Sequence, residues 1–179
     1  VARLGAREVW VGRDFRFGHR RAGDLGLLEA MGPQANFRVR TIDDVTLTGE
    51  RVSSSRIRAA LVAGELDLAA RLLGRRYAID GRVVRGAQLG RQLGYPTANL
   101  RFGGKTPALS GIYATLVHGV GELPRASVSS LGTRPTVQGR EPLLEAHLFD
   151  FSGDLYGRHI AVEFVAKLRD EVKFDDLDS

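Results

Sequence analysis

The chain has 179 residues, of which 43% are apolar and 26% charged, and its formal net charge is +5. This length suits one large domain or two small ones. No segment approaches the roughly 18 apolar residues of a membrane span, and the lack of cysteine excludes disulfides, iron–sulfur clusters and thiolate zinc sites. We therefore expect a cytoplasmic protein with no membrane partner, whose arginine-rich charge suits anions such as nucleotides.

Strands and helices alternate up to Gly74, a pattern typical of α/β structure. Asp24 is a predicted N-cap, and Gly64 and Gly74 are predicted to end helices. The predicted elements are a strand at Glu8–Gly12, a helix at Leu25–Met31, a strand at Phe37–Ile42, a helix from Ser53 through Val62 and a helix at Leu66–Leu73.

After Gly74 the pattern changes to short β-like segments separated by turn residues. Such spacing predicts a small closed barrel, so we place a domain boundary near Gly74 and divide the chain into 1–74 and 75–179. The predicted strands are Tyr77–Val84, Gly111–His118, Ala126–Ser130, Leu143–Phe149 and Ile160–Phe164.

The stretch Gly86–Asn99 carries the most specific chemical pattern. Its glycines let the backbone bend and let a ligand approach closely, and Arg91 adds a fixed positive charge suited to phosphate oxygens. Pro96 ends the turn in extended chain, where Thr97 and Asn99 project to the same side. Their oxygens are hard ligands of the kind that Mg²⁺ prefers. The alternative is a glycine-rich hairpin followed by a polar strand.

Two segments of the first half suit anionic ligands. Ser53–Arg58 places hydroxyls, free N–H groups and two arginines at a helix N-terminus. From this segment alone, however, we prefer the interpretation as an ordinary serine cap followed by solvated arginines. The loop Gly12–Gly18 offers aromatic faces, an acid and two arginines for a base and phosphates. It is equally consistent with a surface loop anchored by two phenylalanines.

Three segments of the second half could complete a site. Along Leu143–Phe149 the apolar residues alternate with Glu145 and His147; a carboxylate there could accept the proton of an attacking hydroxyl. Asp154–Gly157 is a turn with an aromatic residue, and Arg169–Phe174 could close over a flat ligand. Each also has a structural interpretation as a solvated strand face, turn or charged edge. Without a partner motif we prefer this interpretation for the strand that carries Glu145, and for His147 we prefer it in any case.

Taken together, residues 75–179 resemble the riboflavin kinase (flavokinase) domain. Gly86–Asn99 is similar to its nucleotide loop and Pro-Thr-Ala-Asn motif, and Ser129–Thr136 to its Gly-Thr-x-Pro-Thr signature. The further matching blocks, in order, are Leu144–Phe149, Asp154–Gly157 and Leu168–Phe174.

Residues 1–74 resemble the C-terminal part of the FAD synthetase (FMN adenylyltransferase) module, which precedes the kinase in bifunctional bacterial proteins. Gly12–Gly18 and Val52–Arg58 carry this likeness. The implied fold is a partial α/β domain of the nucleotidyltransferase (Rossmann-like) type followed by a six-stranded riboflavin kinase β-barrel. The acidic run after Phe174 would begin the kinase's C-terminal helix, so we expect the sequence to be part of a longer protein.

The resemblance implies roles for individual residues. Glu145 would be the catalytic base that takes the proton from the riboflavin 5′-hydroxyl, and Thr97 and Asn99 would hold Mg²⁺. The implied ATP-binding residues are Gly86, Gly90, Arg91, Thr97, Asn99 and Tyr156, the implied flavin-binding residues are Arg169 and Phe174, and those for the second nucleotide are Asp14, Phe15, Ser54, Ser55 and Arg58.

The expected activity is phosphorylation of riboflavin to FMN with ATP and Mg²⁺. The adenylyltransferase's His-x-Gly-His-type motif is absent from this sequence, so we expect little or no FAD synthesis from this chain. The alternatives are a nucleic-acid-binding barrel, which should show exposed aromatic residues along one face, and a flavin-binding module without turnover. We expect no nucleic-acid partner, and the sequence leaves self-association open.

Overall fold

The computed structural model describes residues 5–86, 88, 90, 94–102, 106–136 and 139–171, with side chains omitted at 134–136 and 139–140. These residues fall into two compact units, one ending at Val52 and one beginning at Ser53. Among the described helices, none combines the length and apolar character needed to cross a membrane.

The first unit is a small α/β segment. Strands β1 (Glu8–Gly12) and β2 (Arg38–Ile42) pair in parallel, and helix α1 (Leu25–Met31) connects them because parallel neighbours need a crossover. The Asp24 carboxylate accepts a hydrogen bond of 3.0 Å from Leu27 N, which confirms the predicted cap.

A short hairpin in the first unit was not predicted. Its strands β3 (Thr46–Leu47) and β4 (Glu50–Arg51) have two residues each, too few for alternation to show in the sequence. Thr48 and Gly49 between them both have positive φ angles, 54° and 80°, as a tight hairpin turn of the mirror-image type requires.

Two helices open the second unit. Helix α2 (Ser54–Ala63) has Ser53 as its N-cap, whose hydroxyl accepts a 3.2 Å bond from Arg56 N, and Gly64 as a left-handed C-cap. Helix α3 (Leu66–Leu73) ends at a second left-handed glycine, Gly74. Both helices confirm the predictions, which depended on these capping residues.

The remainder of the second unit is a closed barrel of six antiparallel strands, as the sequence predicted. The strand order around the barrel is β10-β5-β6-β9-β8-β7. The strands are β5 (Ala78–Val84), β6 (Ala98–Arg101), β7 (Gly111–His118), β8 (Arg125–Thr136), β9 (Gly139–Leu148) and β10 (His159–Arg169).

Alternation along each strand divides the barrel into a packed interior and an outer face. On β9, Leu144, Ala146 and Leu148 are buried, whereas Glu145 and His147 between them are partly exposed. The apolar interior includes a hydroxyl cluster in which Thr115 Oγ1 lies 2.6 Å from Ser127 Oγ and 2.7 Å from Ser129 Oγ. These buried hydroxyls satisfy one another, as buried polar groups must.

Helices α2 and α3 share the barrel's hydrophobic core, with Ala60, Leu61, Leu66 and Ala69 in one cluster with the strand residues. This packing explains why the compact units divide at Val52/Ser53, ahead of the predicted domain boundary near Gly74. The boundary near Gly74 separates the two family modules along the sequence, which is a different division from that into compact units, and it stays a prediction.

The shared core predicts that α2 stabilises the barrel. Leu61 is 3% exposed, so Leu61→Ala is expected to lower the free energy of unfolding by about 2–5 kcal/mol through lost burial and a residual cavity. The adjacent Val62 is 68% exposed, and Val62→Ala should change it by less than about 0.5 kcal/mol. Urea unfolding followed by circular dichroism measures both, and equal effects would contradict the shared core.

Candidate active site

The candidate catalytic residues meet where β6 and β9 pair. Asn99 of β6 lies directly opposite Glu145 of β9, and the Thr97 hydroxyl is 3.5 Å from Glu145 Oε1. Their register neighbours Ala98 and Ala146 are buried in the interior, so the site is on the outer face of the barrel. The structure thus places Glu145 beside Thr97 and Asn99, the two residues that the sequence predicted as a pair.

Asn99 is held by the backbone and side chain of Thr97. Its amide nitrogen Nδ2 donates to the Thr97 carbonyl at 3.1 Å and to the Thr97 hydroxyl at 3.4 Å. Asn99 is only 5% exposed, yet its Oδ1 has no hydrogen-bond partner among the described residues. A buried acceptor of this kind costs about 1–3 kcal/mol and points to a ligand that the oxygen would bind.

This orphaned oxygen fits a magnesium ion that arrives with a nucleotide. Mg²⁺ takes oxygen ligands and is usually held by one or two carboxylates together with substrate phosphates rather than by an all-protein cage. Thr97 and Asn99 supply two neutral oxygens beside the Glu145 carboxylate. Within the described ranges, no group of three or more His, Asp and Glu side chains could hold a metal.

The backbone of Gly86 packs directly against Asn99. A Cβ atom added at Gly86 would lie 2.5 Å from Asn99 Oδ1 and 2.7 Å from Asn99 Cγ. Further along this loop, Tyr95 N donates to Gly90 O at 2.7 Å, and a Cβ at Gly90 would clash with the Tyr95 carbonyl. The two predicted site glycines therefore occupy positions where a side chain would disturb the loop or Asn99.

We expect Gly86→Ala to impair the site through this contact. The added methyl would displace the Asn99 carboxamide, and a misplacement of about 1 Å at an active site can lower turnover by about 100-fold. Gly121→Ala is the matched control because its added Cβ has no atom within 4 Å. The measurement is the rate of nucleotide-dependent turnover for both variants, and equal rates would show that the Asn99 contact is unimportant.

Tyr156 lies next to the same loop. Its hydroxyl accepts a 3.3 Å hydrogen bond from Gln88 Nε2, and the Arg85 guanidinium is 5.3 Å from the centre of its ring. Its own N–H donates to Asp154 Oδ1 at 2.8 Å, which fixes the turn. Gly157 N then bonds to Val83 O of β5. The Asp154–Gly157 turn and the Gly86–Asn99 stretch are therefore neighbours, and their nucleotide-binding roles stay predictions.

The predicted flavin-binding residues are only partly described. Arg169 is the last residue of β10, and its Nη1 donates to the Asp170 carbonyl at 3.2 Å. Phe174 and the predicted phosphate ligand Arg91 lie outside the described residues. The roles of all three stay predictions.

The residues predicted for the second nucleotide belong to two different units. In the first unit, Asp14 pairs with Arg51 at 3.0 Å, and hydrogen bonding to that guanidinium lowers the pKa of the carboxyl. Phe15 stacks on Phe17 with ring centres 5.7 Å apart. In the second unit, Ser54, Ser55 and Arg58 are exposed residues of α2, and the capping hydroxyl belongs to Ser53.

Arg85, Gln88 and His147 contact the predicted site residues or their loop but were not proposed from the sequence. Arg85 and Gln88 contact Tyr156, and His147 bonds to the Pro96 carbonyl at 2.9 Å. For Arg85 and Gln88 the only signal in the sequence was their position close to Gly86. For His147 the signal was its position two residues after Glu145 on one strand face.

Two family models match this chain, and a solved structure resembles it. The riboflavin kinase family model matches residues 73–179, and the FAD synthetase family model matches residues 1–56. A solved structure from Streptococcus pneumoniae, titled a macrolide-efflux protein, is 32% identical with a TM-score of 0.69, covering 93% of this chain and 54% of that chain. This last likeness bears on the fold.

The curated relatives that this chain resembles have bifunctional names. A bifunctional riboflavin kinase/FMN adenylyltransferase from Escherichia coli K12 is 44% identical over 178 residues, which are 99% of this chain and 57% of the relative. One from Pseudomonas fluorescens is 45% identical over 177 residues, 98% of this chain and 57% of the relative. The chain therefore spans just over half the length of these relatives. With more than half of its residues matched by the riboflavin kinase model, and part of an FAD synthetase region before them, this chain belongs to the riboflavin kinase family.

Proposed function

We propose that this chain phosphorylates riboflavin, transferring the γ-phosphoryl group of ATP to the ribityl 5′-hydroxyl to give FMN and ADP. The observation that carries the proposal is the cluster of Thr97, Asn99 and Glu145 on the outer face of the barrel, in which the buried Asn99 Oδ1 has no hydrogen-bond partner within the described part of the chain. Family membership supplies the substrates, and the cluster supplies the residue types that phosphoryl transfer needs.

Glu145 is the proposed base of this reaction. Its carboxylate lies beside the Thr97 hydroxyl, at the point where the phosphate-binding residues and the barrel strand meet. A carboxylate in this position can orient the 5′-hydroxyl of riboflavin and accept its proton as the O–P bond forms. Because the nucleophile is a neutral alcohol, removal of this proton accompanies the attack.

Thr97 and Asn99 are the proposed holders of Mg²⁺, which when bound would neutralise charge developing on the transferred phosphoryl group. Gly86 and Gly90 keep side chains away from the nucleotide path, and Arg91 adds a positive charge for the phosphates. Tyr156, fixed by Gln88 and Asp154, contacts the same nucleotide. Arg169 and Phe174 are proposed to contact the flavin.

The adenylyltransferase activity of a longer protein is a separate proposal. Residues 1–56 match the FAD synthetase family, and Asp14, Phe15, Ser54, Ser55 and Arg58 are the proposed contacts of its nucleotide or FAD. Since this sequence has no His-x-Gly-His-type motif, the chain alone is expected to stop at FMN.

One assay tests these proposals together. The chain is incubated with riboflavin, ATP and Mg²⁺, and riboflavin, FMN and FAD are separated by chromatography. We expect FMN with little or no FAD, and no FMN when Mg²⁺ is removed with a chelator. Binding of riboflavin without FMN formation would instead indicate a flavin-binding module and overturn the kinase proposal.

A further inference from the structure

His147 connects the catalytic strand to the loop that carries Thr97. It lies on β9 two residues after Glu145 and on the same outer face. Its Nδ1 is 2.9 Å from the Pro96 carbonyl oxygen, a good hydrogen-bond distance. A carbonyl can only accept, so Nδ1 must carry the proton.

Aromatic contacts fix the plane of the His147 ring. The Tyr95 ring meets it edge to face, with centroids 5.6 Å apart and planes at 77°. Phe149 meets it similarly, at 5.6 Å and 83°. Both partners are largely exposed, Tyr95 at 65% and Phe149 at 47%, so burial alone explains neither position. The three rings together attach residues 95 and 96 of the loop to β9.

Thr97 depends on this attachment more than its two partners do. Asn99 and Glu145 are fixed opposite each other by the ladder of β6 and β9, but β6 begins at Ala98, so Thr97 lies outside the ladder. The hydrogen bonds of its hydroxyl to other described residues are long, 3.5 Å to Glu145 Oε1 and 3.4 Å to Asn99 Nδ2. A small shift of the preceding residue would break both contacts, because hydrogen bonds weaken steeply beyond this range.

We propose that His147 is a positioning residue: its Nδ1–H holds the Pro96 carbonyl and thereby keeps the Thr97 hydroxyl beside Glu145 and Asn99. The inference rests on the proposed function, since Thr97 is there a ligand of the magnesium–nucleotide complex. His147 itself touches no substrate. Its loss should therefore weaken the use of MgATP, while the binding of riboflavin should be little affected.

Two substitutions separate the hydrogen bond from the packing. His147→Phe keeps a flat ring between Tyr95 and Phe149 but removes the donor, whereas His147→Asn places an amide N–H near the position of Nδ1. We expect His147→Phe to lower kcat/KM for MgATP by about 10- to 100-fold, with the KM for riboflavin within about twofold of the wild-type value. His147→Asn should recover most of the loss.

The control is His159→Phe, which removes an exposed histidine at the start of β10 that pairs with Asp80 at 3.7 Å. It should leave kcat/KM unchanged. Wild-type kinetics in His147→Phe, or equal losses in His147→Phe and His147→Asn, would overturn the positioning role. So would a loss confined to riboflavin binding.

Two measurements do not require turnover. Long-range ¹H–¹⁵N spectra of the full chain distinguish imidazole tautomers, and the sequence has only four histidines. The His147 signal, assigned by its disappearance in His147→Asn, should show the Nδ1–H form at a pH where imidazoles are neutral. The Nε2–H form would overturn the proposal.

Calorimetric titration with MgADP should show weaker binding for His147→Phe than for wild type and His159→Phe. Equal binding in all three would count against the positioning role. If the wild-type chain forms no FMN, the proposed function fails, while the tautomer and the MgADP titration still decide the role of His147.

Discussion

Glu145→Gln is expected to lower the rate of FMN formation by roughly 10²–10⁴-fold, the usual contribution of a positioned general base. The amide keeps the size of the side chain and can still contact the Thr97 hydroxyl, which lies 3.5 Å from Glu145 Oε1. It cannot accept the proton of the riboflavin hydroxyl. The effect should therefore appear in kcat, with smaller changes in the KM values for ATP and riboflavin.

The rate is measured by chromatographic quantification of FMN under saturating substrates. Glu122→Gln is the control, because Glu122 is an exposed carboxylate in the connection between β7 and β8. It changes the net charge by the same amount and should leave the rate unaltered. Near-wild-type turnover in Glu145→Gln would make Glu145 an ordinary polar residue of a barrel strand.

The sequence predicted the elements best where local chemistry defines both ends. Helix α1 begins after the Asp24 cap and α3 ends before Gly74, and both have the predicted bounds. Strands β8, β9 and β10 are longer than predicted. The additional residues include Pro135 of β8 and the C-terminal end of β10. At both places the alternation of apolar residues is lost from the sequence, although the strands remain paired with their neighbours.

Strand β6 was predicted only as an extended segment, because it has four residues and follows a proline. Its pairing with β9 could not be read from the sequence at all. Thr97 and Glu145 are 48 positions apart, and no local pattern states which strands of a barrel become neighbours or in which register. The spacing of Thr97 and Asn99 predicted their proximity, but only the resemblance to riboflavin kinases associated them with Glu145.

The same limit applies to His147. A lone histidine on a strand face is ordinarily a structural residue, and no sequence pattern connects it with Pro96, 51 positions earlier. Every residue has a backbone carbonyl that a histidine could bond to, so the residue types alone do not predict this contact. It becomes visible only when β9 is placed beside the loop that precedes β6.

Asn99→Ala should separate stability from nucleotide binding. The substitution removes two Nδ2 hydrogen bonds to Thr97, each contributing about 0.5–1.5 kcal/mol, but also removes the orphaned Oδ1, whose burial costs about 1–3 kcal/mol. These changes nearly cancel. Without ligand, the free energy of unfolding is expected to stay within about 1 kcal/mol of the wild-type value.

With ligand the two proteins should differ. Saturation with MgATP at about 100 times its Kd stabilises a binding-competent chain by about 2.7 kcal/mol, and Asn99→Ala should lose most of this gain together with FMN formation. Thermal unfolding with and without MgATP measures the difference. Retention of the full gain would contradict the assignment of Asn99 to the metal–nucleotide site.

Thr115→Val provides the opposite control. It removes a buried hydroxyl that is hydrogen-bonded to Ser127 Oγ at 2.6 Å and Ser129 Oγ at 2.7 Å. Because those hydroxyls would lose a partner, the substitution should destabilise the unliganded chain by about 1–3 kcal/mol. Because this cluster lies inside the barrel, the gain with MgATP should remain. A buried polar group that stabilises the fold and one that awaits a ligand are thus expected to give opposite results in the same experiment.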